Sequence, residues 1–205
     1  KVGKVLADES KENGISINLG PGGNLHRNIL CGRHPEYFSE DPILTGTLMA
    51  YQARGLEENG VIATYKHLIA NNIEFERKSA HGIIDENTLR DLYLRVFDKA
   101  FSLYKPGCVM TSYNPVNGIY PCENSALLND LLRGEWGFDG FVMTDWGSYD
   151  TADSIRSVCA GTNLLTPGSK KHFRMILKTV KRNEISKAAL QHSVKQIVKV
   201  LVRCI

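Results

Sequence analysis

The sequence of 205 residues predicts an α/β fold in which parallel strands alternate with helices. Short apolar runs recur between segments whose apolar residues repeat at three- and four-residue steps, and Gly, Pro or Asp stands at most of the boundaries. Strand–helix–strand units form right-handed crossovers, which place successive strands side by side in one sheet. A closed barrel of eight such strands needs about 250 residues. Because the sequence offers only five strands, we expect an incomplete TIM-type (β/α)8 barrel.

Five apolar segments are predicted as strands because turn-forming residues delimit them. The run from Phe141 to Thr144 lies between Gly140 and Asp145, and its continuous apolar character is typical of a strand that is covered on both faces. In chain order the predicted strands are residues 15–19, 61–65, 108–113, 141–144 and 162–165.

The intervening segments are predicted as helices from their periodicity and their caps. Asp41 and Pro42 form a cap and a first-turn proline, and they open a helix with Leu44, Leu48 and Tyr51 on one stripe. In chain order the predicted helices are residues 2–13, 42–60, 85–104, 125–133, 169–181 and 187–202.

Composition and charge restrict the functional classes. The chain is 42% hydrophobic and 23% charged, which is ordinary for a soluble globular domain. Its 25 basic and 22 acidic residues are interspersed, so we expect no nucleic-acid partner. No apolar run approaches the ~18 residues of a membrane span, so we expect no membrane partner either.

The five cysteines have no metal-ligand spacing, and their odd number argues against a complete disulfide framework. We therefore expect free thiols and neither a metal nor an organic cofactor. Free thiols favour a reducing compartment such as the cytoplasm, and a periplasmic location stays open because an exported bacterial protein need carry no disulfide. The cysteines are Cys31, Cys108, Cys122, Cys159 and Cys204.

Asp145 is the leading candidate for a catalytic group, because reactive groups of alternating barrels cluster where strands end. Trp146, beside it, offers a flat apolar surface of the kind on which sugar rings stack. Asp145 could instead cap the following helix. Lys66 and His67, at another strand end, permit three interpretations: donors to sugar hydroxyls, a Schiff-base amine with its base as in an aldolase, or a packed structural pair.

Four motifs in this order resemble glycoside hydrolase family three, and within it the bacterial β-glucosidases. The resemblance extends from about Val2 to about Val202 and implies that residues 1–205 are a partial N-terminal (β/α) barrel domain. The final predicted helix resembles the end of that domain, whereas the first strand segment and the second α/β sandwich domain of the family have no counterpart. The motifs are Gly32–Pro42, Lys66–Asn72, Met110–Asn114 and Trp136–Trp146.

The resemblance assigns a role to each candidate residue. It implies a retaining exo-β-glycosidase that hydrolyses terminal non-reducing β-D-glucosyl residues of a β-glucoside or oligosaccharide substrate. Asp145 is the nucleophile in this scheme, and Tyr113 brings its hydroxyl towards that carboxylate. The remaining residues bind the sugar or form the wall of its subsite: Arg33, Lys66 and His67 bind it, and Met110 and Trp146 form the wall.

The proton donor is the missing part of this scheme. Retaining hydrolysis needs two carboxyl groups about 5 to 5.5 Å apart, yet Glu123, Glu135 and Asp150 are interpreted as helix caps or solvated charges, and the family takes its acid/base from the second domain. The isolated chain is therefore expected to be weakly active or inactive, and to need a missing domain or a homo-oligomer. The alternatives are a non-catalytic or truncated sugar-binding barrel fragment, and the N-acetylglucosaminidase branch with His81 as acid/base.

Glu74 and Arg77 follow the Lys66–Asn72 motif. We interpret them as a structural ion pair beneath the loop and not as substrate ligands.

Overall fold

The computed structural model describes the backbone of residues 1–204 and the side chains of residues 1–203; the predicted free thiol of Cys204 lies outside the described residues. Within this part of the chain, four strands form one parallel sheet in sequence order, which confirms the predicted α/β class. Ile17 pairs with Ile62, Thr64 with Cys108, and Cys108 with Phe141. The strands are β1 Ile17–Asn18, β2 Ile62–Leu68, β3 Cys108–Thr111 and β4 Phe141–Met143.

The predicted fifth strand is reduced to a single parallel bridge between Met143 and Leu164. Asn163 explains why. Its side-chain Oδ1 accepts a hydrogen bond from the backbone N–H of Val142 at 2.7 Å, so a side chain takes the place of a ladder carbonyl at this edge of β4. The same Oδ1 accepts from Arg133 Nη2 at 2.9 Å, which fixes the amide. The edge of the sheet is thus satisfied without a regular strand.

The helices follow the predicted positions closely, with one addition. The helix Ser154–Ala160 was not predicted, although Asp153 caps it by accepting from the N–H groups of Ile155 and Arg156, and Gly161 ends it at φ +108°. The helices are α1 Val2–Glu12, α2 Pro42–Glu57, α3 (Glu86–Thr88, π-helical Leu89–Leu94 and Arg95–Leu103), α4 the π-helical Ala126–Glu135, α5 Ser154–Ala160, α6 Lys170–Lys181 and α7 Lys187–Leu201.

Alternate residues of each strand face two different layers. On one side of the sheet, Tyr65, Val109 and Val142 pack against apolar residues of α2, α3 and α4. On the other side lies the inner-face cluster of Ile62, Cys108, Met110, Phe141, Met143 and Val200, with Ile17 and Ile197 packed against it. Helix α7 supplies Ile197 and Val200, so it covers part of the face that a closed barrel would turn towards its axis.

The stripe that predicts α2 is not the face that packs. Leu44, Leu48 and Tyr51 are 48%, 41% and 62% exposed, whereas the buried face consists mainly of small residues. A Cβ at Gly46 would lie 2.4 Å from the carbonyl oxygen of Val96, so only glycine permits this approach of α2 to α3. Close helix contact, and not large side chains, therefore sets the orientation of α2.

Candidate active site

The site lies where parallel strands end, because the carboxyl ends of β2, β3 and β4 share one edge of the sheet. Lys66 and His67 lie near the carboxyl end of β2, Tyr113 follows β3, and Asp145 follows β4. The loop before α2 reaches the same edge and brings Arg33. Contacts described below join these five of the seven predicted site residues into one cluster.

Asp145 is buried, with only 7% of its surface exposed. Its Oδ1 accepts the backbone N–H of Trp146 at 2.6 Å, whereas Oδ2 has no hydrogen-bond partner among the described residues and lies 3.4 Å from Nε2 of His67. Burial raises the pKa of Asp145, although the Trp146 N–H, Arg33, Tyr113 and Lys66 act in the opposite direction. The carboxylate is thus anchored by one oxygen and free at the other.

His67 is held from both sides of its imidazole. Nδ1 lies 3.2 Å from Oδ1 of Asn24 and 3.1 Å from the hydroxyl of Tyr37, and Nε2 lies 3.0 Å from Nη2 of Arg33. The ring is 1% exposed. Burial lowers the pKa of His67 well below its ordinary value, and the positive charges of Lys66, Arg33 and Arg77 lower it further.

Glu36 links the two flexible cations of the site. Its Oε1 accepts from Nε of Arg33, and its Oε2 lies 2.9 Å from Nζ of Lys66. Burial raises the pKa of Glu36, but the two cations outweigh that effect and lower it overall. Neither cation contacts Asp145 directly in this arrangement, since both are engaged by Glu36.

The loops after β2 and β4 meet around the ring of Tyr113. Its hydroxyl donates to the carbonyl oxygen of Trp146 at 2.6 Å, and burial, followed by the charge of Asp145, raises its pKa to about 12. Nζ of Lys78 lies 5.4 Å from the ring centroid and pairs with Asp150 at 2.8 Å. The indole of Trp146 is 54% exposed, so it borders the site from the solvent side.

Met110 and Arg77 occupy less expected places. Met110 packs in the inner-face cluster, in register with Met143 and therefore beneath the strand ends. Arg77 pairs with Glu74 at 3.2 Å, in line with the ion-pair interpretation, yet its guanidinium also lies 4.9 Å from the centroid of Tyr113. Two clefts of about 590 and 340 Å³ lie between α3 and α4, and none of the site residues lines them.

The other acidic candidates have structural partners. Glu123 accepts the backbone N–H of Asp153 at 2.5 Å near the start of α5, and Asp150 pairs with Lys78. Glu135 and His81 are exposed. Glu135 fits the prediction of a solvated charge, and Glu123 binds the backbone at the start of α5 as a cap does, whereas the ion pair of Asp150 with Lys78 was not predicted.

Residues 1–203 contain no candidate metal-ligand cluster and no candidate membrane-spanning helix. No group of three or more His, Cys, Asp or Glu side chains in that part of the chain could hold a metal ion. No helix there is both long and apolar enough to cross a bilayer.

Three functional neighbours were missed by sequence reasoning: Asn24, Glu36 and Tyr37. Glu36 and Tyr37 lie inside the first matched motif, so their position was visible but their partners were not. Asn24 follows two glycines in a polar loop, and nothing local to it predicts a contact with a residue 43 positions later.

Comparison with known proteins comes from sequence and from structure. The sequence profile described as the glycosyl hydrolase family 3 N-terminal domain matches residues 1–200. Thermostable beta-glucosidase B of Acetivibrio thermocellus is 41% identical over 202 residues, which are 98% of this chain and 26% of that protein. Probable beta-glucosidase J of Aspergillus fumigatus is 39% identical over 203 residues, 98% of this chain and 23% of its own length. The chain thus spans about a quarter of these relatives.

Solved structures agree with this comparison. Beta-glucosidase 3B from Thermotoga neapolitana, in complex with glucose, superimposes with a TM-score of 0.94 at 40% identity, over 98% of this chain and 29% of that one. A GH3 beta-glucosidase of Bifidobacterium adolescentis gives a TM-score of 0.93 at 35% identity, over 98% of this chain and 30% of that one.

Proposed function

The chain belongs to glycosyl hydrolase family 3, and from that premise we propose that it is the catalytic-barrel part of a retaining exo-β-glucosidase with Asp145 as nucleophile. One observation carries the assignment: Asp145 ends a strand with one oxygen bonded to the Trp146 N–H and the other, buried Oδ2, without a donor. In this proposal residues 1–205 belong to one partial barrel domain. The relatives' names, all β-glucosidases, support a terminal β-D-glucosyl substrate.

The proposed reaction has two steps. Oδ2 of Asp145 attacks the anomeric carbon and forms a glycosyl ester. The bond from that carbon to the leaving oxygen breaks at the same time, and the leaving oxygen takes a proton. Water then attacks the same carbon and gives up a proton. The ester C–O bond breaks, which releases the sugar and restores the Asp145 carboxylate. We assign the proton donor to no residue between 1 and 203.

The surrounding residues bind and orient the sugar in this proposal. Lys66 and Arg33 offer N–H donors to its hydroxyls, and His67 lies between them and the carboxylate. The Tyr113 hydroxyl donates to the carbonyl of Trp146, the residue whose own N–H binds Asp145, and so helps to hold that residue in place. Trp146 forms an apolar wall of the subsite, and Met110 lies beneath the strand ends in the inner-face cluster.

An activated 2-deoxy-2-fluoro-β-glucoside tests the nucleophile without requiring the proton donor. Its leaving group needs little protonation, so the first step can proceed in the isolated chain. We expect one covalent sugar per chain on a peptide containing Asp145, and none on Asp145→Asn.

Asp139→Asn is the matched control, because Asp139 is an exposed carboxylate that pairs with Lys199 on α7. It should be labelled like the unmodified chain. A label on another residue, or undiminished labelling of Asp145→Asn, would refute the nucleophile assignment.

A non-catalytic sugar-binding fragment is the second candidate function. It is favoured by the described contacts of the Asp145 side chain, which are with Trp146, His67 and Tyr113 and include no second carboxyl group. Glucose binding measured by calorimetry, together with no covalent label, would establish that alternative. The β-glucosidase names of the relatives favour the glucosidase branch over the N-acetylglucosaminidase branch.

A further inference from the structure

We propose that Asn24 is a positioning residue that holds His67 as the neutral tautomer protonated on Nδ1, so that Nε2 presents a lone pair to the sugar site. The catalytic consequence rests on the function proposed above; the tautomer itself rests on contacts within the free chain. The sequence around Asn24 predicts no role for this residue. In the structure Asn24 is buried, with 3% of its surface exposed.

The orientation of the Asn24 amide is determined by the backbone of His67. Its Nδ2 donates to the carbonyl oxygen of His67 at 2.9 Å, and its Oδ1 accepts the N–H of the same residue at 3.0 Å. Exchanging the two amide atoms would place donor against donor and acceptor against acceptor. The atom that faces Nδ1 of the imidazole is therefore the oxygen, at 3.2 Å.

The other ring nitrogen meets a group that can only donate. Nη2 of Arg33 lies 3.0 Å from Nε2 of His67, and a guanidinium has no acceptor. Nε2 must therefore carry a lone pair, and Nδ1 must carry the proton that Oδ1 of Asn24 accepts. The two contacts specify the same tautomer independently.

Tyr37 agrees with this tautomer. Its hydroxyl lies 3.1 Å from Nδ1, donates to the carbonyl oxygen of Asn71 at 3.3 Å, and accepts from Nδ2 of Asn71 at 3.2 Å. Since its one proton goes to Asn71, the hydroxyl faces Nδ1 as an acceptor. Burial raises the pKa of Tyr37, so the phenol keeps that proton.

The consequence concerns the attacking oxygen. Oδ2 of Asp145 lies 3.4 Å from Nε2, so a proton on Nε2 would point at that oxygen and reduce its ability to attack. With Nε2 unprotonated, Oδ2 stays free, and His67 accepts a hydrogen bond from a sugar hydroxyl once Arg33 turns to the substrate. Lys66 and Arg33 are then the donors of the site, and His67 is an acceptor.

The ¹⁵N NMR spectrum of the chain labelled at histidine nitrogens tests the tautomer directly, because protonated and unprotonated imidazole nitrogens resonate in separate regions. His67→Gln identifies the His67 signals among the six histidines. We expect Nδ1 in the protonated region and Nε2 in the unprotonated region at neutral pH. A proton on Nε2 of the unmodified chain would overturn the inference.

Variants at Asn24 separate positioning from a merely structural role. Asn24→Ala leaves Arg33 as the contact that still disfavours a proton on Nε2, so a minor fraction of the Nε2–H tautomer should appear and move the Nδ1 and Nε2 signals towards each other. Asn24→Asp keeps the acceptor for Nδ1 but loses the donor to the His67 carbonyl, and it should restore the signals in part. Asn72→Ala is the matched control, since Asn72 is a buried amide that binds the carbonyl of Leu25 in the same loop. It should leave the His67 signals unchanged, and an equal shift in that variant would refute a specific role for Asn24.

Covalent labelling separates this inference from the proposed function. Labelling of the chain together with an Nε2–H tautomer would refute the inference alone, and the expected tautomer without labelling would refute the proposed function alone. If both hold, Asn24→Ala should be labelled at least tenfold more slowly than the control. The pH at which the labelling rate falls to half should also change in Asn24→Ala and not in Asn72→Ala.

Discussion

Replacing Glu36 by Gln should destabilise the fold more than replacing any exposed glutamate, because its carboxylate holds two poorly solvated cations. The side chains of Arg33 and Lys66 are only 20% and 15% exposed, and that of Glu36 is 32% exposed. Gln removes the charge and keeps one carbonyl oxygen. That oxygen can serve Arg33 or Lys66, and the amide nitrogen then faces the other cation, donor against donor.

The size of the effect lies between two limits. Breaking a fully buried ion pair costs about 3–5 kcal/mol, whereas an exposed pair contributes about 0–1 kcal/mol. Because Glu36 itself is one-third exposed and each cation is mostly buried, we expect Glu36→Gln to lower the free energy of unfolding by about 2 kcal/mol.

Urea unfolding at pH 7 measures this difference, with Glu58→Gln as the control. Glu58 pairs with Arg54 at 2.6 Å, but both side chains are more than half exposed, so that change should cost about 0.5 kcal/mol or less. Equal losses in the two variants would refute the argument from burial.

The pH dependence gives a second check. The pKa of Glu36 is lowered overall from its ordinary value of 4.5, so its contribution is present above that pH and is lost as the pH falls through the folded-state pKa. The difference between the unmodified chain and Glu36→Gln should therefore shrink at acid pH. A difference that persists undiminished at acid pH would refute the charge argument.

Three further predictions concern the single residues His67, Tyr113 and Lys78. Burial lowers the pKa of His67 below its ordinary 6.5, so the unfolded state binds a proton that the folded state does not; relative to His67→Gln, the chain should lose up to about 1.4 kcal/mol of stability per pH unit below that value, measured by urea unfolding. Tyr113→Phe removes the 2.6 Å bond to the Trp146 carbonyl; we expect a loss of about 1 kcal/mol in stability and slower labelling by the fluoroglucoside. Lys78→Met removes the pair with Asp150; amide exchange over residues 146–151 should accelerate while global stability falls by about 1 kcal/mol or less.

Local patterns predicted most elements of the fold because each pattern depends on neighbouring residues. Asp41 does cap α2, by accepting the N–H of Leu44 at 2.7 Å, and Gly60 follows that helix at φ +84°. The packed face of α2 was not predictable in this way. It depends on Gly46 meeting a backbone carbonyl of another helix, which hydrophobic periodicity does not detect.

The same distinction between local patterns and distant contacts applies to the residues of the site. Asp145, Lys66 and His67 stand at strand ends, so strand prediction together with the family resemblance was sufficient to place them. Asn24 and Glu36 act through partners 43 and 30 residues away, and such partners become visible only when the loop before α2 folds over the strand ends.

Glu36 also explains why Oδ2 of Asp145, which attacks the sugar in the proposed reaction, has no hydrogen-bond donor among the described residues. The positive charges of Arg33 and Lys66 both lower the pKa of Asp145. Either cation could pair with the free oxygen of Asp145 if that cation had no other partner. A carboxylate oxygen that is bound by a cation attacks carbon less readily, because its lone pair is already engaged. Glu36 supplies a competing carboxylate, so that the four charges cancel while Oδ2 of Asp145 stays without a donor. Burial then raises the pKa of Asp145, and its conversion to an ester removes a poorly solvated negative charge, which favours the first step of the proposed reaction.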